Sequence, residues 1–359
     1  MALDRLTDKT VDGESAESNI TLPSTAGNEV IDLLGRPLRD LRISVTDRCN
    51  FRCSYCMPRD VFDGDWPFLP RAEMLSYEEM TEVAAAAAEL GVHKIRLTGG
   101  EPLLRRDIST LVSMLRARLP EVELAMTTNG SLLSDHAEQL ASAGLDRITI
   151  SLDAIEPALF CKLSDSTTDL QDVLDGIEAA VEAGLTPVKL NCVVRRGLNE
   201  DQMIPIIERF RGRGIIIRFI EFMDVGNTNA WRFDQVVSAD EMLAMLGETY
   251  DLQPIVQPPE AGVARIWQDV ASGQHIGIIA SITQPFCGDC TRARLSADGQ
   301  LFTCLFSAAG HDLKTALRQG ADIGSLISQI WNARSDRFSE LRTEETPPAP
   351  RVEMSYIGG

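Results

Sequence analysis

The sequence contains no run of about 18 apolar residues, the length at which a helix crosses a bilayer. Its longest apolar stretch, Val83–Ala88, is closed off by Glu82 and Glu89, so no membrane span is expected. It also lacks positive charge: 34 Lys and Arg against 53 Asp and Glu leave a net charge of −19. A chain of that sign has no general attraction for nucleic acid or an anionic membrane surface. Any phosphate-bearing ligand must then be held by a local cluster of cations. Histidine is scarce, with four in 359 residues. The amino terminus has neither the basic start and apolar core of a secretory signal nor the acid-poor composition of an organellar presequence. Its first 32 residues hold seven carboxylates against Arg5 and Lys9, which predicts a solvated, disordered acidic extension over 1–32. The expected compartment is the reducing cytoplasm, where structural disulfides are rare.

What is present is an ordinary core, with 44% hydrophobic residues, arranged as strand–helix repeats. Leu41–Val45, Val92–Thr98, Val122–Thr128, Arg147–Leu152, Val188–Val194 and Ile215–Phe222 read as strands. Several are almost wholly apolar, as parallel strands covered by helices are. Helical periodicity fills Ser76–Leu90, Ile108–Leu119, Ser134–Ala143, Asp169–Ala183 and Glu200–Arg211. Ser76 followed by Glu79 is a capping-box pattern. Gly91, Gly144 and Gly184 stand at helix stops. Six such repeats imply a parallel α/β sheet with right-handed crossovers. A curved, incomplete barrel and a doubly wound sheet both satisfy the pattern, and either gathers ligands at the carboxyl ends of its strands. After about Asp251 the texture changes to proline-interrupted, short strand-like runs, with a hairpin over Arg292–Ser296 and Gln300–Thr303 around Asp298-Gly299. The expected units are therefore 33–250, 251–342 and an extended tail over 343–359.

Six of the eight cysteines fall in two groups. Cys49, Cys53 and Cys56 are spaced C-x3-C-x2-C on the loop after the first strand. Thiolates are soft ligands suited to iron–sulfur clusters and to zinc. A closed zinc site needs four protein ligands, and no histidine lies within 35 residues of this group. Three thiolates on a cubane leave one iron open, which favours chemistry over electron transfer. Cys287, Cys290 and Cys304 form a second set, with His275 and His311 as residues that would complete a Cys3His zinc site. Cys161 and Cys192 have no cysteine neighbours and read as buried free thiols.

Arg292 and Arg294 stand two apart on a strand and so share a face. Their guanidinium forks match phosphate oxygens. Arg42, Arg96 and Lys189 are basic residues inside otherwise apolar strands. A charge there must find a partner, either a bound anion or a neighbouring carboxylate.

The Cys49-x3-Cys53-x2-Cys56 run with Tyr55 resembles the radical S-adenosylmethionine (SAM) signature. Gly99-Gly100-Glu101-Pro102, at the end of the second strand, resembles that superfamily's SAM-binding element. Phe286-Cys-Gly-Asp-Cys-Thr-Arg292-Ala-Arg294-Leu with Gly299-Gln-Leu-Phe-Thr-Cys304 is similar to the carboxyl-terminal cluster motif of the molybdenum cofactor biosynthesis protein A family. The resemblance covers roughly residues 33 to 359. Thr291 stands where that family usually has asparagine.

The resemblance implies an incomplete parallel (β/α)6 TIM-like barrel with a carboxyl-terminal cluster-binding module, two 4Fe–4S clusters on the six cysteines, and SAM as cofactor. It implies a lyase in which a 5′-deoxyadenosyl radical takes the ribose 3′ hydrogen of GTP and the resulting radical attacks C8 of guanine. It places SAM contacts on Tyr55, Gly100, Ser151 and Met223, and GTP contacts on Arg42, Arg96, Thr127, Lys189, Arg292 and Arg294. Gly358 and Gly359 correspond to a flexible tail that reaches the active site. The implied partners are GTP, an unidentified electron donor and, by product hand-off, cyclic pyranopterin monophosphate synthase, with the enzyme a monomer or homodimer. A radical SAM peptide maturase and a non-catalytic iron–sulfur or zinc sensor are the competing readings. The paired arginines have no evident use in the first, nor Gly99–Pro102 in the second.

Overall fold

A computed structural model describes residues 29–258, 262–343 and 351–358. The six expected strands form as β1 Asp40–Ser44, β2 Lys94–Thr98, β3 Glu123–Thr128, β4 Arg147–Ser151, β5 Lys189–Val194 and β6 Ile216–Glu221. They pair in parallel, each with the next in sequence. There is no reversal of strand order, so the doubly wound alternative is excluded and the barrel-type winding remains. Helices α1 Tyr77–Glu89, α2 Ile108–Arg118, α3 Ala137–Ser142, α4 Pro157–Ser164, α5 Leu170–Glu182, α6 Met203–Phe210 and α7 Ala239–Gly247 accompany them.

Each strand divides its side chains between two faces, as the period of two requires. Ile95 and Leu97 of β2 are buried in the hydrophobic core, while Arg96 and Thr98 line an interior cavity. The same alternation sends Leu41 and Ile43 to the core and Arg42 to the cavity. Helix α1 buries Met80, Val83, Ala84 and Ala87, one stripe at helical spacing. Its start is fixed by the Ser76–Glu79 capping box. Helix α3 is shorter than the sequence implies, because a 3-10 turn takes up Leu133–Asp135.

Among the described residues, the carboxyl-terminal strands do not form a separate sheet. Strands β7 Leu252–Pro254, β8 Arg265–Asp269, β9 His275–Ile279, β10 Arg292–Leu295, β11 Gln300–Phe302 and β12 His311–Asp312 extend both edges of the same one. The order is β12-β11-β10-β1-β2-β3-β4-β5-β6-β9-β8-β7. Strand β9 adds in parallel to β6 and β10 in parallel to β1. The expected hairpin is the antiparallel pair β10–β11. Four helices follow among the described residues: α8 Leu313–Arg318, α9 Ile323–Asn332, α10 Phe338–Leu341 and α11 Met354–Ile357.

Three expectations change. Glu29–Asp32, assigned by composition to the acidic extension, belong to the folded body, and Asp32 is buried in an ion pair with Arg36. Residues 1–28 lie outside the described residues. The tail is expected to be extended, but within its described part, 351–358, Met354–Ile357 form α11 with Ile357 fully buried. Cys161 is exposed, contrary to its expected burial, because α4 turns Phe160, Leu163 and Ser164 inward instead. Cys192 is buried as expected.

Glu221 ties the edge addition together. Fully buried at the end of β6, it accepts hydrogen bonds from the backbone of Ala239 (2.8 Å), Ile282 (2.7 Å) and Thr283 (2.9 Å), and from the Thr283 hydroxyl. Glu221→Ala should destabilise the chain by about 3 kcal/mol, since it leaves several buried donors unmet. An unchanged urea midpoint would contradict that role.

Candidate active site

One cavity of about 340 Å³ collects the sites read from the sequence. Every barrel strand contributes an inward side chain: Arg42, Arg96, Thr127, Ser151, Asn191 and Arg218. All six clustered cysteines line it, three from the loop after β1 and three from the segment around β10 and β11. Tyr55, Gly100, Met223, Arg292 and Arg294 are also in its wall. Lys189 is not, but it shares a strand face with the lining residues Asn191 and Val193 and pairs in register with Thr149, one layer deeper.

The first triad is placed by the glycine element. A Cβ on Gly99 would collide with the backbone of Thr46, and one on Gly100 with the backbone of Arg48. Only glycine lets the end of β2 lie against the segment that leads into Cys49. Gly99 also has φ +146°, a conformation that side chains disfavour. Glu101 is buried and anchors the next strand end, accepting from Thr128 Oγ1 and the Asn129 backbone at 2.7 Å each. Burial raises its pKa to about 7. Tyr55 donates to Asp153 at 2.6 Å, and burial raises Asp153 to about 6.

The donor sets fit iron–sulfur clusters. Burial pushes the Cys49 thiol up to about 12 and raises Cys53 and Cys56 as well. These soft donors become thiolates when a metal displaces the proton. In the second set burial raises Cys304 to about 11. Burial acts in the same direction on Cys290, but Arg292 and Arg334 outweigh it and lower that thiol to about 6. Among the described residues no three Cys, His, Asp or Glu side chains converge on one ion. His275 on β9 and His311 on edge strand β12 do not line the cavity.

The electrostatics of the interior are one-sided. Among the described residues, Arg42, Arg96, Lys189, Arg218, Arg292 and Arg294 lack an ion pair with a carboxylate. Salt bridges inside the barrel, the competing explanation for basic residues in apolar strands, are therefore not what holds them. Glu123 is taken by Lys94 and Arg147. Arg96 donates to the hydroxyls of Thr127 (3.0 Å) and Thr149 (3.2 Å). Burial, reinforced by neighbouring cations, lowers Arg218 to about 9, Arg294 to about 10 and Lys189 to about 7, and draws Arg42 down as well. Arg292 differs: burial opposes its charge, but Cys290, Asp40 and Cys304 retain it.

Arg218 was missed in the sequence. Its signal is the one that marked Arg96, a cation amid Ile216, Ile217, Phe219 and Ile220. Gly358 sits in the barrel mouth with φ +75°, where a Cβ would strike Thr98, and its carbonyl accepts from Arg294. Gly359 lies outside the described residues. Thr291 bonds Asp40 Oδ2 at 3.2 Å, so threonine supplies a contact of its own at the position that departs from the family pattern.

Comparison with known proteins agrees with this arrangement. The Radical SAM superfamily model matches residues 43–210, and the Molybdenum Cofactor Synthesis C model matches 215–340. A GTP 3′,8-cyclase of Acidothermus cellulolyticus is 49% identical over 91% of this chain and 98% of that protein. One from Staphylococcus saprophyticus is 46% identical over 92% of this chain and 99% of that protein. The chain belongs to the GTP 3′,8-cyclase family. Members of this family are radical SAM lyases. No helix among the described residues is long and apolar enough to cross a membrane.

The depressed pKa of Lys189 gives a sign for pH dependence. A bound polyanion favours its ammonium form, so binding takes up a proton above about pH 7. Inorganic triphosphate should therefore bind less tightly at about pH 8.5 than at about pH 6, beyond any change intrinsic to the ligand. Lys189→Gln should lose that extra dependence in calorimetric titrations. A variant with the same pH profile as the wild type would contradict the assignment.

Proposed function

We propose that this chain binds SAM at the first triad and GTP at the second, and converts GTP to 3′,8-cyclo-7,8-dihydro-GTP, the first step of molybdenum cofactor synthesis. The observation that carries the reading is the single cavity: two thiol triads and a set of cations without carboxylate partners line the same space. Cys49, Cys53 and Cys56 would hold one cluster and Cys287, Cys290 and Cys304 the other, and with them bound, SAM and a reductant would supply the radical chemistry at the ribose 3′ position.

The chain's own residues provide position and charge. Arg42, Arg96, Lys189, Arg218, Arg292 and Arg294 neutralise the triphosphate; most of them point inward from neighbouring strands. Arg-x-Arg on β10 offers two planar forks to phosphate oxygens beside the second triad. Thr127 extends this polar wall. Gly100, Ser151, Met223 and the Tyr55–Asp153 pair form the wall at the SAM end. Holding two reactants in one enclosure makes an intermolecular encounter effectively intramolecular, a large share of a rate enhancement. The tail, with Gly358 on Arg294, covers the mouth and keeps water from a reactive radical. A peptide substrate would have no use for so many buried cations. The electron donor is an external reductant, and the product passes to cyclic pyranopterin monophosphate synthase. Such an enzyme works as a monomer or homodimer in the cytoplasm.

The test is anaerobic incubation of the reconstituted protein with SAM, a reductant and GTP deuterated at the 3′ carbon. The label should appear in 5′-deoxyadenosine, and the nucleotide product should be one mass unit lighter than the labelled substrate. Arg294→Ala should lower kcat/KM for GTP about 100-fold, the scale of a lost charge-assisted contact, while SAM binding persists. SAM cleavage that ignores GTP and returns the nucleotide unchanged would refute the reading.

A further inference from the structure

Behind the second triad lies a buried charge network that the cyclisation itself does not use. The side chains of Asp32, Arg36 and Arg334 are 0%, 2% and 1% exposed. Asp32 Oδ2 accepts from Arg36 Nε at 2.6 Å and Arg334 Nη1 at 3.4 Å. Asp32 Oδ1 accepts from the backbone of Leu34 and Arg36 at 2.9 Å each, which folds 32–36 into a turn. Arg334 also lies over the Trp331 ring at 4.4 Å, and Trp331 Nε1 donates to the Arg36 carbonyl at 3.0 Å.

The arginines reach from this carboxylate to the cysteine backbone. Arg36 Nη1 donates to the carbonyl of Cys287 at 2.8 Å and to that of Asp336 at 2.7 Å. Arg334 Nη1 donates to the carbonyl of Cys290 at 2.7 Å. Asp336 contacts Arg334 Nε at 3.4 Å and accepts from Thr303 Oγ1 at 2.6 Å, one residue before Cys304. Each of the three cysteines is thus one hydrogen bond, or one peptide, from a single network. The cysteines come from two segments, 287–290 and 304, and the network from two others, 32–36 and 334–336. A buried ion pair is a weak source of stability, since desolvation offsets its attraction. Its convergence on one ligand set calls for another use.

We propose that Asp32, Arg36, Arg334 and Asp336 form an outer brace that positions Cys287, Cys290 and Cys304 and sets how firmly the second cluster is held. The inference rests on the reading that this triad carries a cluster, and deepens it. These are positioning residues, since none of them supplies a ligand. Partners of this outer kind cost about 10- to 100-fold in metal affinity when lost. The amino-terminal turn then becomes part of the second cluster's site, some 250 residues away in sequence.

The test uses the full chain, reconstituted anaerobically, as wild type, Asp32→Asn and Glu29→Gln. Glu29 pairs with Arg39 at the surface and serves as the control. Iron release to a chelator is followed without GTP, with electron paramagnetic resonance assigning each phase to a cluster. In Asp32→Asn the second cluster should leave at least about tenfold faster and its spectrum should change, while the first cluster keeps its wild-type rate. Glu29→Gln should match the wild type. If Asp32→Asn does not fold, Asp336→Asn, at the partly exposed end of the network, should show the same selective loss. Wild-type release rates, or equal acceleration of both clusters, would overturn the brace. The wild-type sample is also assayed for nucleotide product. Absence of product would sink the cyclisation reading, whereas unselective iron release with product formed would sink only the brace.

Discussion

The interior of this barrel holds positive charge that the protein does not neutralise. Six cations occupy inward positions on the strands or just beyond them, and among the described residues none meets a carboxylate at ion-pair distance. Burial already weakens the hold of five of them on their protons, Lys189 and Arg218 included, while the Cys290, Asp40 and Cys304 side chains keep Arg292 charged. Leaving such groups without a counterion is costly, so the site is matched to an anion of several charges. The net charge of −19 strengthens the argument: the molecule concentrates cations in one place while its composition as a whole repels anions.

The sheet topology makes that concentration possible. Six parallel strands leave two open edges, and the carboxyl-terminal segment covers both, with β9 beside β6 and β10 beside β1. Register then sets the chemistry. Arg294 on β10 pairs with Arg42 on β1, which pairs in turn with Arg96 on β2. The second triad is carried to the mouth by the same strand that supplies two of the cations. Gly99 and Gly100 bring the first triad against the end of β2 by removing the side chains that would keep it away. The inward cations, the Gly99–Gly100 element and both triads therefore depend on one continuous ladder of hydrogen bonds.

Much of this was legible in the sequence because it is local. The six strands, the capping box at Ser76, the β10–β11 hairpin and both cysteine triads each lie within a short window. Arg42, Arg96 and Lys189 stood out because a cation in an apolar strand violates the pattern around it. Arg218 carried the same signal and was overlooked. What the sequence withheld is non-local or compositional. The parallel pairing of β10 with β1 joins residues about 250 apart, which no periodicity reveals. Asp32 was grouped with an acidic extension because its neighbours are acidic, yet Arg36 and Arg334 draw it into the core. Helix α4 went unread, and with it the outward direction of Cys161, although Pro157 after the capping Glu156 marks its start.

The dependence of binding on phosphate number tests the unneutralised interior most directly. Dissociation constants of GTP, GDP, GMP and guanosine are to be measured by calorimetry on the anaerobically reconstituted protein at fixed ionic strength. If the inward cations are there for the phosphates, affinity should fall at each step, by roughly tenfold or more per phosphate removed. If guanosine binds as tightly as GTP, the cations do not serve the nucleotide and the account given for the cavity is wrong.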